Sequence, residues 1–233
     1  SLLSHTGLWF GSTFYCMQEI LLAILAYCIG SIPTSVWVSR HFFNIDIRDY
    51  GSGNAGATNT FRVLGPRWGT FVMICDVLKG FLAVKLAFLL PTVYHENDIR
   101  FLNLQLIFGI SAVLGHIFPI WANFRGGKGV ATLFGLVIGI SPWTALACSG
   151  IFLIVLYLTR FVSLGSILAG IAFPVFILVV FNVDNHFYRV FAIAVALLII
   201  LTHQKNIGRI LRGNESKVPI FKNRNKRRQR SRE

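Results

Sequence analysis

Long apolar runs separated by short polar segments constrain this chain more than any other feature of its sequence. A helix needs about 20 apolar residues to cross the hydrocarbon core of a bilayer, and the 233 residues contain seven candidate runs. Charged residues make up 13% of the chain, whereas a soluble domain has roughly a quarter. The pattern predicts an all-α, polytopic membrane protein of about seven transmembrane helices with cytoplasmic motif loops. The runs are 19–38, 68–90, 104–121, 130–140, 143–158, 164–181 and 187–201.

The runs also set the expected domain organisation. Residues 1–18 are expected to form an extracytoplasmic segment, residues 19–213 the helical domain, and residues 214–233 a basic, disordered cytoplasmic tail. The fourth run is short, and the pair Ser141 and Pro142 is expected to end its helix. The four cysteines have no CxxC spacing, so they are interpreted as small buried hydrophobic residues.

The distribution of positive charge predicts the orientation of the chain in the membrane. The segments that follow the first, third, fifth and seventh runs hold 18 of the 22 Lys and Arg residues. The positive-inside rule therefore places the amino terminus outside and the carboxyl terminus in the cytoplasm. Eleven of these residues lie between Lys205 and Arg232, beside the last run. The net charge of +13 thus indicates contact with anionic lipid, and nucleic-acid binding is not expected.

Every glycine-rich or unusually polar segment falls on the predicted cytoplasmic side, which suggests a single site. The first segment is 51–59, followed by Arg62. Its glycines let backbone amides point into one concavity, as a phosphate requires, and Arg62 adds a charged fork. A dinucleotide-binding GxGxxG is excluded because no βαβ unit surrounds it, while a flexible polar linker stays an alternative. The candidate binding residues are Gly51, Ser52, Gly53, Asn54, Thr58 and Asn59.

The second polar segment, 123–132, opens the fourth run. Its amides lie at a helix amino terminus, where free donors and partial positive charge favour an anion. Gly127 and Lys128 are the candidate phosphate ligands. A Walker A loop is excluded because Gly129 stands where Ser or Thr is needed. The alternative is that the basic residues only anchor the helix at the lipid headgroups.

Two further segments lie on the same predicted side. Ser163 and Ser166 lie at the start of the sixth run and are candidate phosphate ligands, with a helix cap as the alternative for Ser163. His203, Asn206 and Arg209 are three residues apart, so they are expected to share one helix face. A histidine there could orient a hydroxyl or move a proton. The alternative is a set of interfacial polar residues at a helix end.

Three other ionisable residues lie inside apolar runs. His116 has Ile120 and Trp121 where a carboxylate four or five residues later would orient it, so a packing role is expected. Asp76 and Lys79 are three residues apart, so they can pair on one helix face. A pair is expected because unpaired charges in lipid are costly. Their role is left open between structure and support of the site.

The sequence offers no arrangement for covalent catalysis or for a metal. It has no defensible Ser-His-Asp set, no HExxH and no acidic cluster for calcium or magnesium. Catalysis would therefore depend on an activated substrate, on positioning and on charge stabilisation. No cofactor is expected.

These segments resemble the PlsY family, the bacterial acyl-phosphate:glycerol-3-phosphate acyltransferases. The resemblance extends from about residue 20 to residue 213. It is carried by DIRDYGSGNAGATNTFRVLG from Asp46, GHIFPIWANFRGGKGVAT from Gly115 and VSLGSI from Val162. The run GSIPTS from Gly30 and the ending HQKNIGRIL from His203 add to it.

The resemblance implies seven spans in a bacterial inner membrane and a specific reaction. Glycerol 3-phosphate would attack a fatty acyl phosphate through its 1-hydroxyl, giving lysophosphatidic acid and phosphate. An enzyme that produces acyl phosphate would be a possible partner. The implied catalytic residues are Ser52, Arg62, Lys128, His203 and Asn206. The alternatives are a transporter of a phosphorylated metabolite and a lipid-binding scaffold.

Overall fold

The computed structural model describes residues 2–90 and 98–218, with side chains described from residue 15 onward. Within these ranges the chain is helical and has no strand, which confirms the predicted all-α class. The helices are α1 (Leu2–Gly30), α2 (Thr34–Phe43), α3 (Ala57–Val63), α4 (Pro66–Lys85), α5 (Ile99–Ile117), α6 (Val130–Ile140), α7 (Pro142–Thr159), α8 (Val162–Val175), α9 (His186–Thr202) and α10 (Gln204–Leu211).

Four helical stretches in the described part are long and apolar enough to cross a membrane, and α9 with α10 would make a fifth. Helix α6 has 11 residues, about 16 Å at 1.5 Å per residue, roughly half of the hydrocarbon thickness. Helix α4 is longer but carries Asp76, Lys79 and Lys85. The count of seven spans therefore stays a prediction. The four stretches are Tyr15–Phe43, Ile99–Ala122, Pro142–Thr159 and Val162–Val180.

Prolines account for two of the helix boundaries. The first predicted span, 19–38, was expected to be one helix, but α1 ends at Gly30 and α2 begins directly after Pro33. Pro33 has no amide hydrogen to continue the ladder. Pro142 is the first residue of α7, and α6 ends before it as predicted. Helix α1 begins at Leu2, so the predicted boundary at residue 18 falls inside a continuous helix.

Glycines bring α4 and α6 into backbone contact. A Cβ atom on Gly80 would lie 1.9 Å from the carbonyl oxygen of Thr132, and one on Gly135 would lie 1.9 Å from that of Val77. Small residues permit this close approach in membrane helix pairs. The contact fixes the amino end of α6, and with it the polar segment 126–129, against α4.

Two apolar clusters hold the helices together. The larger has members on every helix from α4 through α9 and includes Leu136 and Ile177, which are fully buried. The smaller joins α1, α4 and α5 around Ala26 and Phe108. Apolar side chains on the outer faces are exposed, as at Trp143 and Leu158. This arrangement suits helices whose outer surface faces lipid.

Candidate functional site

An ion pair organises the base of the first polar segment. Asp46 accepts the amide of Arg48 at 3.0 Å and two guanidinium hydrogen bonds at 2.9 and 2.7 Å. These bonds hold the pKa of Asp46 well below its usual value and raise that of Arg48. Arg48 also donates to the carbonyl oxygens of Ala122 at 2.9 Å and Arg125 at 3.2 Å. Arg48 therefore ties the first segment to the second.

Asn59 shapes the backbone of the first segment. Its amide donates to the carbonyl oxygens of Ile47 at 3.1 Å and Tyr50 at 2.9 Å. Its oxygen accepts the amide of Ser52 at 2.9 Å, and the residue is 1% exposed. Gly51 adopts a φ of 62° beside it. The sequence predicted a phosphate contact for Asn59, but all three of its polar positions serve the loop.

The remaining candidates of the first segment face outward. Ser52, Thr58 and Arg62 are exposed, and Asn54 is half-buried. Within the described residues, no hydrogen bond joins these four side chains to the other polar segments. Their groups are therefore accessible to an anion from solution.

The second polar segment folds back onto the end of α5. The amide of Gly126 donates to Ile117 O and that of Gly127 to His116 O, both at 3.1 Å. The following residue, Lys128, donates from its ammonium group to Asn206 Oδ1 on α10. Burial and the charge of Arg209 lower the pKa of Lys128 to about 8, with Glu215 opposing the shift.

His203 lies at a bend between α9 and α10. The sequence spacing predicted one straight helix face for His203, Asn206 and Arg209, but the chain turns by 58° at this point. His203 Nδ1 lies 2.8 Å from the carbonyl oxygen of Ile199. Because a carbonyl can only accept, Nδ1 carries the proton and Nε2 of the neutral ring is an acceptor.

Burial keeps the His203 ring neutral. Desolvation and the neighbouring charge of Lys128 lower the pKa of His203 to about 4, against the opposing effects of Ile199 and Glu215. The residue is 4% exposed. At neutral pH the ring can therefore accept a proton or a hydrogen bond through Nε2.

Glu215 connects three of the candidate groups, and the sequence analysis did not single it out. Its carboxylate accepts from Ser163 Oγ at 2.8 Å, Asn206 Nδ2 at 2.7 Å and Arg209 Nε at 2.6 Å. Burial would raise its pKa, but these bonds outweigh burial and lower it. Glu215, assigned to the tail from the sequence, thus contacts the site. Residues 219–233 of that tail lie outside the described part.

The two serines of α8 differ in their contacts. Helix α8 begins at Val162 with Phe161 as its N-cap, and no side chain caps it. The capping alternative for Ser163 is therefore wrong, because its hydroxyl donates to Glu215 instead. Ser166 donates to Val162 O at 3.0 Å within the helix.

Hydrogen bonds join all four polar segments into one continuous site. Arg48 links the first segment to the second, and Lys128 links the second to α10. Glu215 then links α10 to Ser163 on α8. These contacts place the four polar segments beside one another, and their joint role in binding stays a prediction. The site combines cations, the exposed residues Ser52 and Thr58 and a neutral histidine, which suits a phosphate-bearing substrate with a hydroxyl group.

Comparison with known proteins gives the family. The family model for glycerol-3-phosphate acyltransferase matches residues 20–213. A glycerol-3-phosphate acyltransferase of Chlorobium phaeobacteroides (strain BS1) is 43% identical over 85% of this chain and 96% of the relative. One from Streptococcus pneumoniae (strain Hungary19A-6) is 43% identical over 87% of this chain and 94% of the relative.

Two solved structures share the fold. Both are crystal structures of PlsY (YgiH), an integral membrane glycerol 3-phosphate acyltransferase. The glycerol 3-phosphate form has a TM-score of 0.76 and 36% identity, covering 86% of this chain and 95% of that one. The lysophosphatidic acid form has a TM-score of 0.73 at the same identity, covering 85% and 94%. This chain is a multi-pass membrane protein and belongs to the glycerol-3-phosphate acyltransferase family.

Proposed function

We propose that this protein transfers a fatty acyl group from acyl phosphate to the 1-hydroxyl of glycerol 3-phosphate. The hydroxyl oxygen forms a bond to the acyl carbonyl carbon, and the bond from that carbon to the phosphate oxygen breaks. The products are lysophosphatidic acid and inorganic phosphate. The donor is already activated, so positioning and charge stabilisation provide the acceleration.

The Lys128–Asn206 contact carries the proposal, because it unites the glycine-rich loop with the helix that follows the neutral histidine. Lys128 and Arg62 would offset the charge of the two phosphates. Asn206 would orient the acceptor substrate, and the hydrogen bond from Lys128 would hold the Asn206 side chain in place. Ser52 and the amides of Gly51, Asn54 and Thr58 would complete the phosphate contacts. The amides of Gly53 and Gly127 donate instead to the carbonyl oxygens of Tyr50 and His116, so these two glycines would act by shaping the loops.

Asn59 and Ser166 receive roles that differ from the sequence-based expectation, while Ser163 keeps its expected role. Asn59 would act on substrate through the loop that it shapes, since its polar atoms are already used there. Ser163 would stand beside the donor phosphate at the edge of the Glu215 cluster. Ser166 lies one turn further into α8 and would support the pocket wall.

His203 would orient the attacking hydroxyl through Nε2, and the departing phosphate would take the proton. The variants His203→Ala and His203→Gln test this assignment. Residual turnover in the Gln variant supports an orienting role, because Gln retains an acceptor. Complete loss of turnover in both variants, with unchanged affinity for glycerol 3-phosphate, would make His203 the base.

A donor assay tests the reaction as a whole. Purified protein is mixed with acyl phosphate and glycerol 3-phosphate, and phosphate release and lysophosphatidic acid are measured. Acyl-CoA is the control donor. Turnover with acyl phosphate but not with acyl-CoA supports the proposal. Turnover with acyl-CoA but not with acyl phosphate rejects the proposed donor. A transporter finds no support, since the relatives and structural neighbours are named as acyltransferases.

We also infer a bacterial inner-membrane location with the site on the cytoplasmic face. The charge distribution supports this orientation, because most Lys and Arg residues lie on the side of the site. A soluble enzyme that makes acyl phosphate could then deliver the donor from the cytoplasm. Labelling of single cysteines placed at the exposed positions Ser52 and Arg125, in sealed vesicles and in a background without the four native cysteines, tests the orientation. If the two positions were labelled from opposite faces of the membrane, the proposal of a shared site would be rejected.

A further inference from the structure

Three ionisable residues form a buried cluster behind the second polar segment. Asp76 and Lys79 lie on α4 and His116 on α5, with exposures of 2%, 5% and 7%. Lys79 Nζ donates to Asp76 Oδ1 at 2.6 Å and to Ile32 O at 2.5 Å. His116 Nδ1 lies 3.7 Å from the same Asp76 oxygen. No carboxylate stands four or five residues after His116 in the sequence, but in the structure the Asp76 carboxylate of another helix lies beside the ring, just beyond hydrogen-bonding distance.

The opposite edge of the His116 ring, at Nε2, contacts Gly127 in the second polar segment. A Cβ atom on Gly127 would lie 2.3 Å from His116 Nε2 and 2.8 Å from the carbonyl oxygen of Ala55. The Gly127 amide also donates to the backbone of His116 at 3.1 Å. The ring therefore abuts the residue next to Lys128, beside Ala55 of the first polar segment.

The space around the cluster is too small for a substrate. The cavity among these residues has a volume of about 10 Å³, which holds about one water molecule. Neither glycerol phosphate nor an acyl phosphate fits there. Ionisable groups at this depth are costly and usually functional. A role in binding substrate is excluded by size, which leaves a role in holding the surrounding backbone.

We propose that Asp76, Lys79 and His116 are positioning residues for the glycine-rich segment that carries Lys128. Lys79 of the ion pair holds the carbonyl group of Ile32, in the turn between α1 and α2. The His116 ring sets the distance between Gly127 and α4. Loss of the ring would let the segment shift toward α5 and would move the Lys128 ammonium group. This inference rests on the proposed function, since its effect is expressed through binding of glycerol 3-phosphate.

The test compares His116→Leu and His116→Gln with a matched control on the same helix. Gln105→Leu is the control, because Gln105 is also 7% exposed but lies about 16 Å away along α5. We expect His116→Leu to lower kcat/KM for glycerol 3-phosphate about 100-fold, the loss that a shift of about 1 Å produces. Most of the loss should appear in KM. His116→Gln should recover part of it, and Gln105→Leu should match the parent.

Stability and affinity separate positioning from general damage. Both Leu variants should lose similar thermal stability in detergent, while calorimetric affinity for glycerol 3-phosphate falls in the His116 variant alone. Equal kinetic losses at Gln105 and His116, or parent-like kinetics in His116→Leu, would overturn the inference. If the parent turned over neither donor but bound glycerol 3-phosphate more tightly than His116→Leu, the proposed reaction would fail and the positioning role would stand.

A double-mutant cycle provides a second measurement if His116→Leu does not fold. Gly127→Ala introduces a methyl group into the space of the His116 ring, so its effect should depend on that ring. In a His116→Ala background, the fold loss in kcat/KM from Gly127→Ala should shrink several-fold. The contact with Ala55 O leaves a residual loss. Losses that simply multiply would overturn the proposal.

Discussion

Replacement of Glu215 by Gln perturbs the point at which three chain segments meet. The carboxylate accepts from Ser163, Asn206 and Arg209, whereas a Gln amide has one acceptor oxygen and one donor group. In either rotamer at least one existing donor faces the new NH2 group. When the NH2 group faces Arg209, that charge-assisted bond is lost and the bonds from Ser163 and Asn206 become neutral, at a cost of about 3 kcal/mol. The side chain of Arg209 is 30% exposed, and water reduces the net cost to about 2 kcal/mol.

Both stability and activity should report this loss. If the whole cost of about 2 kcal/mol weakens the positioning of Asn206, kcat/KM should decrease roughly 30-fold. The assay combines chemical unfolding in detergent with glycerol 3-phosphate kinetics. Asp184→Asn is the control, because the Asp184 side chain is 96% exposed and lies 3.9 Å from Arg189, a surface pair of little energy. If Glu215→Gln matched this control in both measurements, the reasoning would be refuted.

Other predictions concern Lys128, the first loop and Arg48. The Lys128 pKa of about 8 predicts that kcat/KM falls tenfold per pH unit above that value. The unfolded chain keeps this proton to higher pH, so the contribution of Lys128 to stability rises over the same range; parallel activity and unfolding profiles check both signs. Gly51→Ala should lower activity at least tenfold, because φ is 62° and its Cβ would meet Asn59 Oδ1 at 2.3 Å, while Gly150→Ala, with nothing within 4 Å, should be neutral by the same assay. Arg48→Lys loses the fork that joins two loops and should raise KM for glycerol 3-phosphate; a parent-like KM would contradict that role.

Local pattern was sufficient for features that depend on neighbours in the chain. The break before Pro142 follows from the geometry of proline alone, and the apolar runs predict the helices. The break at Pro33 rests on the same rule, but the run around it was interpreted as one span. Applied to Pro33, the rule divides that run into the two helices that the structure shows.

Contacts between distant segments could not be inferred in the same way. Glu215 follows a basic helix and its spacing carries no motif, so its bonds to Ser163 depend on how α8 and α10 pack. The pairing of His116 with Asp76 likewise comes from two helices. Helical spacing identifies partners three or four residues apart, and it cannot identify a carboxylate forty residues earlier in the chain.

The glycine crossing between α4 and α6 has a mechanical consequence. Because the two backbones touch at Gly80 and Gly135, the helices cannot slide past one another without steric overlap. The position of the turn at the head of α6 is thus determined in part by a contact in the middle of the bundle. A larger residue at either glycine would retune the reaction centre from a distance, and an inhibitor aimed at that turn would meet a receptor already in its final shape.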